Sequence, residues 1–134
     1  MKPRKKLILA IAALVLAVVV FFGVRLFLSY QRYQDAIAHA ALSHTDASGI
    51  PDGAYTGEYD AGLIYAKVEV LVKDGTMTGI RILEHRNGRG ENAEKITEEM
   101  VAQQKLDVDA VAGATNSSAV LKKAVDNALS GAGR

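Results

Sequence analysis

Tyr65-Ala-Lys-Val-Glu-Val-Leu-Val-Lys73 and Thr76-Met-Thr-Gly-Ile-Arg-Ile-Leu83, joined by Asp74-Gly75, decide the fold of this 134-residue chain. In the first arm Ala66, Val68, Val70 and Val72 alternate with Tyr65, Lys67, Glu69, Leu71 and Lys73, the two-residue period of a strand with one buried face. The second arm sets Thr78, Ile80 and Ile82 against Arg81 and Leu83 and pairs back on the first. Asp74-Gly75 suits the tight turn between them, because both residues accept the positive φ that the strand twist requires. Tyr55 to Tyr59 supplies a third strand. Beyond the hairpin the apolar spacing becomes helical. One helix is predicted from Asn92 to Gln104, capped by Asn92, with Ile96, Met100 and Val101 as its buried stripe. A second runs from Asn116 to about Ser130, buries Val120, Leu121, Ala124, Val125, Ala128 and Leu129, and stops at Gly131. The expected fold class is α+β, a short antiparallel sheet with packed helices.

Ahead of this domain lies a different kind of sequence. Leu7 to Val24 is an uncharged and almost wholly apolar run of 18 residues, extended by Leu26-Phe27-Leu28. As a helix it covers roughly 27 Å, close to the hydrocarbon thickness of a bilayer. Lys2, Arg4, Lys5 and Lys6 precede it and only Arg25 and Arg32 follow closely, which places the N-terminus in the cytoplasm and the rest outside. The segment reads as an uncleaved anchor in the cell membrane, with membrane lipid as its partner. A cleaved signal peptide, the other reading, has a shorter apolar core and a nearer cleavage site than Ala38-His39-Ala40. From Ser29 to Ser48, Tyr30, Tyr33, Ile37 and Ala40 or Ala41 recur at helical spacing, predicting a helical stalk that ends at Gly49-Ile50-Pro51. The resulting division is residues 1–6 as a basic tail, 7–28 as a transmembrane helix, 29–50 as the stalk and 51–134 as the folded domain.

The absence of cysteine removes disulfides, thiolate metal sites, thiol nucleophiles and a lipidated anchor. After residue 30 there are 11 Lys and Arg against 15 Asp and Glu, so the exported part carries a net charge of −4. Without a basic patch and interleaved aromatics, nucleic acid is not an expected partner. His39, His44 and His85 show no metal-ligand spacing, and no triad motif argues for a hydrolase, so neither a metal nor a catalytic residue is assigned.

The stretch Asp109-Ala-Val-Ala-Gly113-Ala114-Thr115-Asn116-Ser117-Ser118 puts small residues and hydroxyls at the start of the last helix. A helix N-terminus offers unpaired N–H groups and partial positive charge, so a phosphate fits there, and Gly113 and Ala114 permit close approach. Thr, Asn and Ser are also ordinary helix caps, and spacing alone does not separate the two readings.

This stretch resembles the flavinylation motif of the FMN-binding domain family, found in the C subunit of sodium-translocating NADH:quinone reductases and the G subunit of Rnf complexes. The family pattern is Asp-x-x-Ser/Thr-Gly-Ala-Thr, and Asp109, Gly113, Ala114 and Thr115 fall on it, while Ala112 stands where a hydroxyl is usual. The resemblance extends over roughly residues 51–130. Asp52-Gly-Ala-Tyr-Thr-Gly57 is similar to the family's opening strand, Val72-Lys-Asp-Gly-Thr76 to its hairpin, and Ile82-Leu-Glu-His-Arg86 to the strand entering the flavin loop. There Asn87-Gly88-Arg89-Gly90 replaces the Glu-Thr-Pro-Gly of many relatives.

The resemblance implies that FMN is the cofactor and that Thr115 carries it through a phosphodiester. With Ala112 in place, noncovalent FMN stays open beside covalent attachment. It implies further that Asp109 is read by a separate FMN transferase. Asn116, Ser117 and Ser118 are candidates to donate to the phosphate, or ordinary helix caps; Arg86 and Arg89 are candidates to face the flavin, or solvated loop arginines; and His85 is a candidate proton relay, or a strand-end surface residue. The chain is then an extracytoplasmic electron-transfer flavoprotein between a membrane donor and an outer acceptor. The alternative is an anchored, non-redox binding module that kept the fold.

Overall fold

The computed structural model describes residues 2–86 and 91–132. The Asn87-Gly88-Arg89-Gly90 loop, and with it the expected flavin contact of Arg89, lies outside the described residues. Helix α1 spans Pro3–Ala38 and strands β1 Gly53–Asp60, β2 Tyr65–Lys73 and β3 Thr76–Arg86 follow. A 3-10 helix, Glu91–Lys95, leads into α2, Ile96–Gln103, and α3 spans Thr115–Gly131. The chain divides into two compact units, residues 1–32 and 33–134.

From Pro3 onward the first unit is helix, and its apolar side chains are exposed on every side, Leu7, Leu14, Phe21, Phe22 and Phe27 among them. A helix apolar all round has no solvent-facing stripe, which suits lipid better than water. With a mean hydropathy of 3.2 over its most apolar window, α1 is long and apolar enough to cross a membrane.

The second unit is the expected α+β domain. Its sheet has the order β1-β2-β3 and is antiparallel throughout. The alternation in β2 is realised: Ala66, Val68, Val70 and Val72 are buried beneath the helices. Asp74 and Gly75 have φ of 53° and 72°, the pair of positive values a two-residue hairpin of this twist needs. Helix α3 lies across β1 and β2, whereas α2 lies against β3. The α3 packing depends on Gly57, where an added Cβ would sit 2.2 Å from Ala128 N and 2.3 Å from Ala124 O. Strand and helix therefore meet backbone to backbone.

Two elements differ from the sequence expectation. The helix predicted from Asn92 begins as a 3-10 turn, and α2 starts only at Ile96, after Lys95 and without a side-chain cap. Thr97 Oγ1 donates to Glu94 O at 2.9 Å and the Glu94 carboxylate meets His85 Nδ1 at 3.0 Å, which ties the turn around Glu94 to both neighbours. At the other end Gln104 turns left-handed, with φ 51°, and its side-chain amide brackets Met77, accepting from its N–H at 2.8 Å and donating to its C=O at 2.7 Å. A side chain here does the work of a neighbouring strand on the β3 edge.

The second difference is larger. The predicted helix through Ser48 stops at Ala38, and the chain that follows packs against α3. The cause is Asp126, a fully buried carboxylate on the largely apolar buried face of α3. It accepts from the backbone N–H of Ser43 at 3.1 Å and of His44 at 2.9 Å, from His44 Nδ1 at 2.8 Å and from Lys123 Nζ at 2.9 Å. Burial pushes the Asp126 carboxyl up, but the bonds from Lys123, His44 and the two amides outweigh it and hold the group below the usual carboxylate range. Lys123 also donates to Ala41 O at 2.8 Å, Leu106 N–H donates to Thr45 O at 2.9 Å, and Ala47 is buried. Amides of residues 43 and 44 satisfied by a carboxylate cannot also extend a helix.

Candidate functional site

The chain reaches α3 through a loop anchored by the buried side chains of Leu106 and Val108. Between Val111 and Ala114 it turns, with Ala114 N–H donating to Val111 O at 2.9 Å. Gly113 makes that turn possible with φ 78°, and no atom lies within 4 Å of where its Cβ would be. The glycine therefore meets a backbone demand and leaves open space on its outer side.

Helix α3 begins at this turn in an unusual way. Its N-cap is Ala114, no side chain caps it, and its first turn holds no acidic residue. The first backbone bond inside the helix is Ser118 N–H to Ala114 O at 2.9 Å. The amides ahead of it have no partner within the helix and keep the partial positive charge of the helix end. Thr115, the first helical residue, is exposed. An exposed threonine thus stands at the positive end of a 17-residue helix, beside an open glycine turn.

The neighbouring polar residues have separate tasks. Ser118 is fully buried, and its Oγ donates to Ala114 O at 2.8 Å and accepts from Val111 N–H at 3.1 Å. It clamps the two ends of the turn together. Ser117 is buried as well. Asn116, half-buried, donates from Nδ2 to the Tyr33 hydroxyl at 2.6 Å. Asp109 and Ala112 are exposed ahead of the turn. The structure therefore brings Gly113, Ala114, Thr115 and Asn116 to one open helix end, with Ser117 and Ser118 beneath them.

His85 and Arg86 occupy the far end of β3. The His85 side chain is 2 % exposed and pairs with Glu94. Arg86 donates to Gly62 O at 3.0 Å, approaches Asp60 at 3.6 Å and lies over the Tyr65 ring at 5.6 Å, partners that all belong to β1, β2 and the turn joining them. Among the described residues no group of three or more metal-ligating side chains occurs.

Two residues at this helix escape a reading by motif. Tyr33 shows in the sequence only as one member of a helical repeat, and its hydroxyl bonds a residue 83 positions away. Asp126 reads as a surface charge on an amphipathic helix, because four of its five hydrogen bonds come from residues 43 and 44, three of them from backbone amides.

The fit of this helix end to a phosphate rests on its chemistry: uncapped amides, an exposed threonine, no competing carboxylate in the first turn and room at Gly113. A model of the FMN-binding domain family matches residues 61–130, from just before β2 to the last turn of α3. No curated protein matches the chain.

Proposed function

Because this chain belongs to the FMN-binding domain family, with FMN as its cofactor, we propose that it is a single-pass membrane flavoprotein carrying FMN on Thr115 outside the cytoplasm and relaying electrons from a membrane donor to an outer acceptor. The observation behind the proposal is the exposed Thr115 at the uncapped start of α3. In this reading the backbone around Gly113 and Ala114 receives the phosphate, Asn116 borders it, and Ser118 holds the turn in shape from below. FMN supplies one- and two-electron chemistry; the protein fixes its place and surroundings.

The chain is the substrate of its own flavinylation. A threonine hydroxyl is a weak nucleophile that needs a base or a metal ion, and Thr115 is the first residue of a helix with no acidic side chain in its first turn. A separate FMN transferase supplies those groups and reads the exposed Asp109. The Thr115 oxygen forms a bond to the FMN phosphorus of FAD, the pyrophosphate bond breaks, AMP leaves, and the hydroxyl proton passes to the transferase's base. The cations before Leu7 keep the N-terminus in the cytoplasm and so place the domain outside. Tethering confines the carrier near membrane partners and raises its effective concentration there.

The test is to express the full chain with and without an FMN transferase and to weigh the purified protein. Covalent FMN adds a defined mass and fluorescence that stays with the denatured band, and Thr115→Val abolishes both. Yellow colour released on denaturation means noncovalent FMN. A chain without flavin under either condition overturns the proposal and leaves the non-redox module.

A further inference from the structure

Tyr33 lies outside the segment matched by the family model, yet it reaches the residue next to Thr115. Its side chain is buried, 8 % exposed, in the last part of α1. Its hydroxyl accepts the Asn116 Nδ2 hydrogen bond at 2.6 Å. One turn further along, Tyr59 of β1 donates to Ala36 O at 2.5 Å and holds the same stretch of helix independently. Residues 41–44 are fixed in turn on Lys123 and Asp126. Tyr33 is therefore held by more than its contact with Asn116.

We infer that Tyr33 is a positioning residue of the FMN site: its hydroxyl holds the Asn116 carboxamide away from the amides of the first turn of α3 and so keeps that turn open for the phosphate on Thr115. The inference rests on Thr115 as the attachment point. Asn is among the strongest helix-capping and amide-binding side chains, and a free carboxamide at the second helical position competes for the same N–H groups that an anion needs. The competing atom is Oδ1; the Nδ2 bond to Tyr33 fixes the orientation of the whole carboxamide, and the helix end keeps alanine as its N-cap with no side-chain hydrogen bond on it. The device also explains how an asparagine beside the attachment residue coexists with an uncapped terminus.

The test follows flavin loading of the full chain in detergent, with an FMN transferase, magnesium and FAD, by intact mass against time. Tyr33→Phe keeps the buried ring, removes the acceptor and loads about fivefold more slowly, the value of one buried hydrogen bond. Its bound flavin also differs in fluorescence from wild type. Tyr59→Phe cuts the parallel tie to Ala36 and loads at the wild-type rate. Adding Asn116→Ala to Tyr33→Phe removes the competing carboxamide and speeds loading relative to Tyr33→Phe alone, a rescue that loss of packing cannot produce. Wild-type loading by Tyr33→Phe, equal slowing by Tyr59→Phe, or a double variant no faster than Tyr33→Phe overturns the inference while leaving Thr115 as the attachment point. A wild-type chain that takes no FMN overturns the attachment and the inference together.

Discussion

The two ends of α3 are built to opposite rules. Toward the C-terminal end, Asp126 is fully buried and satisfied by two backbone amides, a histidine and a lysine, and Ala124 and Ala128 lie against Gly57 without space for a methyl group. At the N-terminal end, the cap is an alanine that bonds nothing through its side chain, the turn before it faces open space, and Thr115 is exposed. A helix end left without a cap forgoes about 1 kcal/mol that a Ser, Thr, Asp or Asn would supply. One helix is thus tied into the core at one end and left without a side-chain cap at the other. The lesson is that substitutions in the two halves should fall in separate classes, the first read in unfolding and the second in flavin.

Asp126→Ala should have the largest effect. It leaves the Ser43 and His44 amides and the Lys123 ammonium without their shared acceptor, and removal of one partner from such a buried cluster costs roughly 3–5 kcal/mol. The check is the thermal unfolding midpoint of the detergent-solubilised chain. A loss below about 1 kcal/mol would place Asp126 among ordinary surface charges and dissolve the contrast between the ends.

Gly57→Ala comes next. The added carbon would overlap backbone atoms of Ala124 and Ala128, which cannot rotate away, so β1 and α3 must separate at a cost of roughly 3 kcal/mol, the upper part of the range for overpacking. Denaturant unfolding measures it, and a chain as stable as wild type would mean that the strand and helix are less closely apposed.

Acid should weaken the same half of the helix. Folding holds the Asp126 carboxyl below its ordinary value, so the folded state favours the deprotonated form. Its contribution is complete above the ordinary carboxylate value and is lost as pH falls through the folded one. The wild-type unfolding midpoint should therefore drop more steeply than that of Asp126→Asn between about pH 5 and pH 2, the window in which a depressed carboxylate titrates. Parallel profiles would assign the acid sensitivity to other groups.

How much of this was legible in the sequence differs along the same line. The alternation of β2, the Asp74-Gly75 turn and the apolar stripe of α3 are local patterns, and each appears in the structure where its residues predict it. The Gly113-Ala114-Thr115 bend was legible for the same reason. What stayed hidden is nonlocal. The grip on residues 41–44 runs through backbone amides and a carbonyl, which every residue possesses and no motif encodes. Nor does the Asp126 side chain announce burial, since all of its partners but Lys123 are supplied from 82 and 83 residues away. The 3-10 turn before α2 was missed because Asn92 looks like a cap, while the bonds around Glu94 involve His85 on β3 and decide otherwise.

At the open end the expected effects on stability are smallest and those on cofactor most telling. Thr115→Val, at an exposed position, should move stability by no more than about 0.5 kcal/mol while abolishing covalent flavin. Ala112→Thr sharpens the point further. Ala112 is exposed on the turn that Ser118 clamps from Val111 to Ala114, so a hydroxyl added there meets solvent and should leave the unfolding midpoint within the same limit of about 0.5 kcal/mol. If the hydroxyl usual at that position assists recognition by the transferase, the covalently loaded fraction at limiting enzyme rises above wild type. An unchanged mass distribution would mean that a hydroxyl at position 112 does not aid covalent loading.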